Sequence, residues 1–252
     1  MGVLTVFSAK GGCGASLVAT NLGVALARSA PTLLIDLHDQ NGADDLLLDL
    51  RPAHAWPELL PVASELTDRH IELVACRHAE GLALLAAPAS SPGHLLQDDR
   101  LRVLLEALAK RFTWIIVDAP SGAWSPALGE ISDTILLVST GDPPALRSAK
   151  RLLQSRPLAA QGRIGLVLNQ VSRGQPASAS EVAASLECPL LAGIPVDPRG
   201  VGYQVNFGRA CVLDRQSALG RAMTALARRM SAAGGRRPEA SAPVSVPSGR
   251  SS

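Results

Sequence analysis

The sequence has few aromatic residues and no paired cysteine motif. Aromatics make up 3% of the 252 residues, although hydrophobic residues make up 47%. A buried core must therefore be built from leucine, valine, isoleucine and alanine. The four cysteines are Cys13, Cys76, Cys188 and Cys211, and no two have C-x-x-C spacing. The absence of C-x-x-C spacing means that the sequence indicates neither a zinc site nor a redox motif. Free thiols suit a reducing compartment.

The sequence also lacks a long apolar run and a leader-like N-terminus. No run of 18 uncharged apolar residues occurs, so we expect no membrane span. The chain enters Gly-Val-Leu-Thr-Val-Phe without a basic segment before it, which argues against a signal peptide. We therefore predict a soluble, cytoplasmic protein, which partners could still recruit to a cell pole or to the inner face of the membrane.

Charge of one sign is scarce as well, because the formal net charge is only +2. Residues 234–252 carry three arginines against one glutamate, so the rest of the chain is formally neutral. Net charge thus gives no case for nucleic-acid binding by the field of the whole protein. A basic patch for non-specific DNA binding remains open, but we favour a solvated helix face for the late arginines, which are Arg199, Arg209, Arg215, Arg221, Arg228 and Arg229.

Short apolar runs alternate with helical patterns along the chain. Continuous apolar runs are typical of strands buried on both faces, and their alternation with helices indicates a parallel sheet. We predict an α/β fold with a doubly wound, mainly parallel sheet and helices on both faces. The predicted strands are Val3–Phe7, Thr32–Leu37, Leu82–Ala87, Trp114–Val117, Thr134–Ser139, Ile164–Leu168 and Leu190–Ile194. The predicted helices are Ala15–Arg28, Leu95–Arg111, Pro143–Gln154 and Ser217–Ala232.

Two segments depart from this alternation. The stretch from Asn41 to Ser91 is the least regular part of the chain. From Gly234 onward the composition is dominated by glycine, arginine, proline, serine and alanine, which predicts a disordered tail. We therefore expect one P-loop nucleotide-binding domain over residues 1–233 and a tail over residues 234–252.

A glycine-rich loop joins the first predicted strand to the first helix. Residues 8–16 read Ser-Ala-Lys-Gly-Gly-Cys-Gly-Ala-Ser. Glycines at 11, 12 and 14 let the backbone approach a ligand and adopt positive φ, and the helix N-terminus attracts anions. Ser16 stands where a P-loop hydroxyl binds Mg²⁺. A plain strand–helix turn is the less favoured interpretation.

The loop resembles the deviant Walker A motif of the ParA/MinD family. An ordinary P-loop would carry lysine at position 15, where this chain has Ala15, while Lys10 stands at the start of the loop. The likeness continues in order through Leu33–Leu37, Ile115–Pro120, Val167–Asn169 and Ile194–Arg199. A narrower likeness is to the CpaE/TadZ branch, which localises pilus or secretion machinery, and septum-site-determining MinD-like proteins share much of the pattern.

The resemblance implies a role for each matching residue. Lys10 would reach the phosphates of a partner chain in a nucleotide-sandwich dimer, and Lys10 and Asp36 are the catalytic candidates. Ser16 and Asp118 would hold Mg²⁺. The residues implied to bind ATP are Lys10, Gly11, Gly12, Cys13, Gly14, Ala15, Ser16, Asn169, Pro195 and Asp197.

Two departures bear on hydrolysis. Ala15 lacks the cation that would stabilise charge on the γ-phosphate. Family members usually read Asp-x-Asp after the second strand, where this chain has Asp36-Leu37-His38-Asp39. His38 could accept a proton or could be a solvated residue at the rim. We expect a dimerising, ATP-binding switch with weak or absent hydrolysis that serves a Tad-type pilus or secretion apparatus.

Several alternatives stay open at this stage. A partition or septum-positioning ATPase would need cycling hydrolysis, and a scaffold would bind no nucleotide. Cys13 could be a redox switch, although a small tolerated side chain is favoured. The stripe Leu219, Met223, Leu226 and Met230 could lie on a membrane, but we favour docking on the sheet. No separate C-terminal membrane-targeting segment is seen.

Overall fold

The computed structural model describes residues 2–38, 42–89, 99–121, 126–155, 162–172 and 174–233. A central sheet of eight strands runs through the described chain in the order β3-β4-β2-β5-β1-β6-β7-β8. The strands are β1 (Gly2–Ser8), β2 (Thr32–Asp36), β3 (Cys76–Arg77), β4 (Ala83–Leu85), β5 (Trp114–Asp118), β6 (Thr134–Thr140), β7 (Ile164–Val171) and β8 (Leu190–Pro195). All neighbours pair in parallel except β3 and β4.

Helices join most of the strands. The α-helices are α1 (Ala15–Ala27), α2 (Asp44–Leu47), α3 (Asp68–Val74), α4 (Asp99–Ala109), α5 (Pro126–Ile131), α6 (Pro143–Gln154), α7 (Ala179–Ser185), α8 (Pro198–Phe207) and α9 (Ala218–Ala233). Two 3₁₀ helices cover Trp56–Glu65 and Cys211–Leu213. The predicted tail and Asp39 lie outside the described residues.

The sheet is covered on both faces by aliphatic side chains. Along β1, Val3 and Phe7 pack into one core, and Leu4 and Val6 pack into the other. The first core is closed by α4, α6, α7 and the first 3₁₀ helix, and the second by α1 and α9. This two-sided burial explains the continuous apolar runs. The predicted doubly wound, mainly parallel sheet is confirmed.

The segment from 41 to 91 is more regular than its sequence predicts. Residues 42–89 contain α2, a 3₁₀ helix, α3 and two short strands. The 3₁₀ helix buries Trp56, Leu59, Leu60 and Ala63, and Thr67 caps α3 by accepting from the amide of His70. Prolines hide this pattern because they suggest a loop. Pro57 stands at the start of the 3₁₀ helix, where proline is well tolerated, and Pro61 lies inside it.

The stripe on the last helix is buried. Leu219, Met223, Leu226 and Met230 are each no more than 6% exposed in the core that contains α1. The prediction that this stripe docks the helix on the sheet is confirmed. Within the described ranges, no helix is long and apolar enough to cross a bilayer.

Candidate functional site

The glycine-rich loop lies at the carboxyl edge of β1 and ends at the first turn of α1. Gly12 has φ +84° and Gly14 has φ +89°, so both adopt the left-handed conformation that favours glycine. Gly14 is the N-cap of α1, and its carbonyl accepts from the amide of Val18 at 3.0 Å. The loop therefore presents backbone at a helix N-terminus, the arrangement that binds phosphate.

Asn169 at the end of β7 fastens this loop. Its Nδ2 donates to the carbonyl of Cys13 at 2.8 Å, and its Oδ1 accepts from the amide of Gln170 at 2.9 Å. A Cβ on Gly14 would stand 2.5 Å from Asn169 Nδ2. The resemblance assigns Asn169 to the adenine edge, and the structure adds a second role that the sequence did not indicate. Asn169 holds the shape of the loop, and Gly14 must lack a side chain for that contact.

Lys10 and Ser16 differ in their surroundings. Lys10 is exposed, while Ser16 is half-buried at the start of α1. The pKa of Asp142 is lowered mainly by the Thr140 hydroxyl and the Ala145 amide, and the charge of Lys10 adds to this. The side chain of Lys10 is therefore exposed at the loop, and its charge acts on Asp142, which follows β6.

A cavity of about 390 Å³ adjoins the loop. Gly12 and Gly14 line one side, and Asn169, Pro195 and Asp197 line another. Its apolar wall comes from Leu17, Leu47, Val201 and Leu219. Volumes of about 300–1,000 Å³ are typical of small-molecule sites, and an apolar wall with a few polar groups suits a flat aromatic base.

Asp197 has a structural role that its motif did not reveal. Its Oδ1 accepts from the amide of Gly200 at 2.9 Å, and its Oδ2 accepts from the Ser217 hydroxyl at 2.5 Å and the Leu219 amide at 3.1 Å. Asp197 thus caps α8 and ties it to the start of α9. Of the segment Ile194–Arg199, whose motif resembles a loop over the base, only Val196 and Asp197 lie between β8, which ends at Pro195, and α8, which begins at Pro198.

An acidic cluster lies beside the loop, across the carboxyl ends of β2 and β5. The register of these parallel strands places Asp36 opposite Asp118. His38 Nδ1 lies 2.7 Å from Asp36 Oδ1 and 3.6 Å from Asp118 Oδ2. The side chains of Asp36 and Asp118 are 2% and 0% exposed, whereas the His38 side chain is 23% exposed. His38 is therefore part of the cluster, which rules out the alternative of a solvated rim residue.

Asp44, at the start of α2, is a member of this region that the sequence did not indicate. It is fully buried, and neither of its carboxylate oxygens has a hydrogen-bond partner among the described residues. Burial raises the pKa of Asp44 well above its ordinary value, and the negative charges of Asp118 and Asp36 add to the rise. An Asp-Asp pair at a helix start is typical of an exposed N-terminus, so no sequence signal marks this burial.

Asp118 experiences a similar environment. Burial raises the pKa of Asp118 to about 7, with Asp36 adding to the rise, while His38 and the Ser16 hydroxyl oppose it. No hydrogen bond of ordinary geometry reaches either oxygen from the described residues. A buried carboxylate in this position is stabilised by a cation.

These observations fit Mg²⁺ and ATP. The orphaned oxygens of Asp118 lie near Ser16 at the helix N-terminus, the positive-φ glycines form a phosphate cradle, and the adjoining cavity has room for a base. Ala15 is 8% exposed and points into the core that contains α1. The loop therefore offers its backbone, Ser16 and Lys10 as phosphate and metal ligands, but it has no lysine at position 15.

The remaining sequence candidates have structural explanations. Cys13 is 2% exposed, and its Sγ lies 3.9 Å from Thr140 Oγ1, as expected for a small buried side chain. Arg229 donates to the carbonyls of Leu190 and Leu191, and Arg221 donates to two carbonyls just before α9. These contacts favour the structural interpretation of the two arginines over a DNA patch.

Comparisons with known proteins identify the family of the chain. Residues 1–179 match the family described as cellulose biosynthesis protein BcsQ. The septum site-determining protein MinD of Synechocystis is 29% identical over 239 residues, which cover 90% of this chain and 88% of that protein. Among solved structures, the ParA family ATPase of Chlorobium tepidum has a TM-score of 0.80 at 22% identity, covering 90% of this chain and 98% of that one.

MinD of Pyrococcus horikoshii, solved in complex with Mg-ADP, has a TM-score of 0.76 at 20% identity, covering 94% of this chain and 98% of that one. At such identities these two structures support the fold alone, and the match over residues 1–179 supports the family. The chain belongs to the BcsQ family, among the P-loop ATPases of the ParA/MinD type.

Proposed function

We propose that this protein is a nucleotide-dependent switch that binds ATP with Mg²⁺, dimerises around it and hydrolyses it weakly or not at all. The observation that carries the proposal is the loop between β1 and α1, which keeps its cradle, Ser16 and Lys10 but has Ala15 inside. A charged hydrogen bond to phosphate contributes about 1.5–3 kcal/mol. Its loss would weaken ATP binding about ten- to a hundredfold while other contacts retain the nucleotide.

Different residues would bind the phosphates, the Mg²⁺ ion and the base of ATP. The backbone of Gly11 to Gly14, Ala15 and Ser16 would hold the phosphates, and Ser16 and Asp118 would hold Mg²⁺. Asn169, Pro195 and the apolar wall of the cavity would hold the base. When bound, Mg²⁺ would neutralise phosphate charge. Asp36 contacts His38, so we propose that it positions this neighbour rather than the attacking water.

Dimerisation rests on Lys10. Its exposure at the start of the loop supports a contact with the phosphates of a second copy. In such a switch, the monomer and the dimer would bind a partner protein with different affinities. We propose that it organises a surface machine, such as a Tad-type pilus or secretion apparatus, in the manner of CpaE/TadZ proteins. A cycling partition or septum-positioning ATPase is the first alternative, and a nucleotide-free scaffold is the second.

Light scattering after gel filtration tests the switch. With ATP and Mg²⁺ the wild-type chain should run as a dimer, Lys10→Ala as a monomer, and the exposed Lys150→Ala control as a dimer. Ala15→Lys should tighten ATP about ten- to a hundredfold. A wild-type chain that stays monomeric and binds no ATP would favour the scaffold.

A fluorescent fusion in the source organism tests the machine that is served. A polar focus, lost in Lys10→Ala and accompanied by loss of pili on deletion, supports the proposal. Loss of cellulose secretion with intact pili would instead assign the protein to cellulose synthesis, the process in the description of its family.

A further inference from the structure

The geometry points to a divalent transition-metal site formed by Asp36, His38 and Asp118, which is loaded without nucleotide. One ligand atom from each of these residues lies within 4.8 Å of the others. This site differs from the Mg²⁺ site of a bound nucleotide because it includes an imidazole nitrogen. It shares Asp118 with the proposed Mg²⁺ site, but no phosphate takes part, so it can be tested without nucleotide.

The distances suit a single ion. Ligand atoms about 2.0–2.2 Å from a metal ion stand roughly 3 Å from one another. His38 Nδ1 lies 2.7 Å from one oxygen of Asp36 and 3.6 Å from one oxygen of Asp118, on either side of that value. The three side chains need little movement to point at one centre.

Within the described ranges, buried carboxylate oxygens without hydrogen-bond partners face this cluster. Both oxygens of Asp118 are buried without a hydrogen-bond partner among the described residues. Asp44, buried beside the cluster, likewise has two carboxylate oxygens without a hydrogen-bond partner among the described residues. In the part of the chain that the structure describes, no lysine or arginine contributes to the charges acting on Asp44 or Asp118. Buried carboxylates need a counter-charge, and a divalent ion provides it.

Backbone amides fix the first ligand. The amide of His38 donates to Asp36 Oδ1 at 3.0 Å, and the amide of Asp44 approaches Asp36 Oδ2 at 3.4 Å. Such contacts hold a ligating carboxylate in place in metal sites. These two contacts fix the orientation of the Asp36 carboxylate toward the cluster.

The donor set selects the class of metal. Mg²⁺ prefers six oxygen ligands in near-ideal octahedral geometry, whereas imidazole together with carboxylates suits manganese, iron, cobalt and zinc ions. His38 is the residue that makes the difference, because an aspartate at this position would leave an all-oxygen site. The site is thus specific for a borderline divalent ion over Mg²⁺.

The test is titration of the full-length, nucleotide-free chain with Co²⁺, followed by its visible absorption. We expect one Co²⁺ per chain, retained in a millimolar excess of Mg²⁺. His38→Asn should lower the Co²⁺ affinity at least about tenfold, while His54→Asn, a change at an exposed histidine, should leave it unchanged. His38→Asp should shift the preference toward Mg²⁺.

Three results would overturn the proposal. They are Co²⁺ displaced by equimolar Mg²⁺ in the wild-type chain, affinity unchanged in both His38 variants, and a thiolate-to-cobalt charge-transfer band that places the ion on cysteine. The Mg²⁺ competition needs no variant, so the test holds even if a substitution impairs folding.

Discussion

Three alanine substitutions in one loop separate backbone strain from side-chain collision. Gly11 has open space and no positive φ, Gly12 has φ +84° with open space, and Gly14 has φ +89° and a Cβ position 2.5 Å from Asn169 Nδ2. A non-glycine residue in the left-handed region costs about 1–2 kcal/mol. Displacing Asn169 from the Cys13 carbonyl adds about 1–3 kcal/mol, because a buried acceptor loses its donor.

The loss in free energy of unfolding should therefore be smallest for Gly11→Ala, larger for Gly12→Ala and largest for Gly14→Ala. Gly11→Ala should leave it within about 0.5 kcal/mol of the wild type. Gly12→Ala should lower it by about 1–2 kcal/mol and Gly14→Ala by about 2–5 kcal/mol. Urea denaturation followed by far-ultraviolet circular dichroism measures all three. Equal stabilities for the Gly12 and Gly14 variants would refute the contact with Asn169 as the reason for glycine at position 14.

Three further predictions follow from buried contacts. Gln204→Leu removes a fully buried acceptor for the Asn21 side chain and the Cys211 amide. It should lower the free energy of unfolding, measured in urea, by about 2–4 kcal/mol. The control Asn206→Ala, at an exposed position, should lower it by less than about 0.5 kcal/mol. Met223→Ala, at 0% exposure, should cost about 2–5 kcal/mol in the same assay, and a vesicle-binding face would instead tolerate it. The pKa of Asp197 is lowered, since hydrogen bonds from Ser217 and the Gly200 amide, with further amides at the start of α9, together outweigh its burial. Its carboxylate therefore contributes its full stabilisation of the fold at pH values above the unfolded-state pKa of about 4. This stabilisation is lost as the pH falls through the lower pKa of the folded state. Asp197→Asn should flatten the acid limb of stability against pH, and an unchanged limb would contradict this role.

The sequence predicted the sheet well because its apolar runs are continuous. It predicted helix Pro143–Gln154 with the observed bounds, since Asp142 caps it and Pro143 suits a first turn. Helix α8 was missed, because its glycines and Pro198 read as a loop. Its cap comes from Asp197, whose carboxylate also binds the start of α9, and such a contact between distant elements leaves no local pattern.

The candidate site was predicted in part. The resemblance indicated the loop, Asp36, Asp118 and Asn169, and the structure places all of them at one edge of the sheet, because the carboxyl ends of parallel strands share that edge. The cluster of Asp36, His38 and Asp118 depends on β2 lying beside β5, and strand order cannot be read from the runs themselves. Asp44 was missed because its burial comes from the packing around α2.

Calorimetric titration of ATP and of ADP with Mg²⁺, with phosphate release followed in the same samples, tests the central claim most directly. We expect that both nucleotides bind, that ATP alone produces a dimer, and that phosphate release is far slower than the roughly 1–100 s⁻¹ of working phosphoryl-transfer enzymes. Phosphate release within that range would contradict the claim and favour a cycling ATPase, and the absence of binding would contradict it in favour of a scaffold.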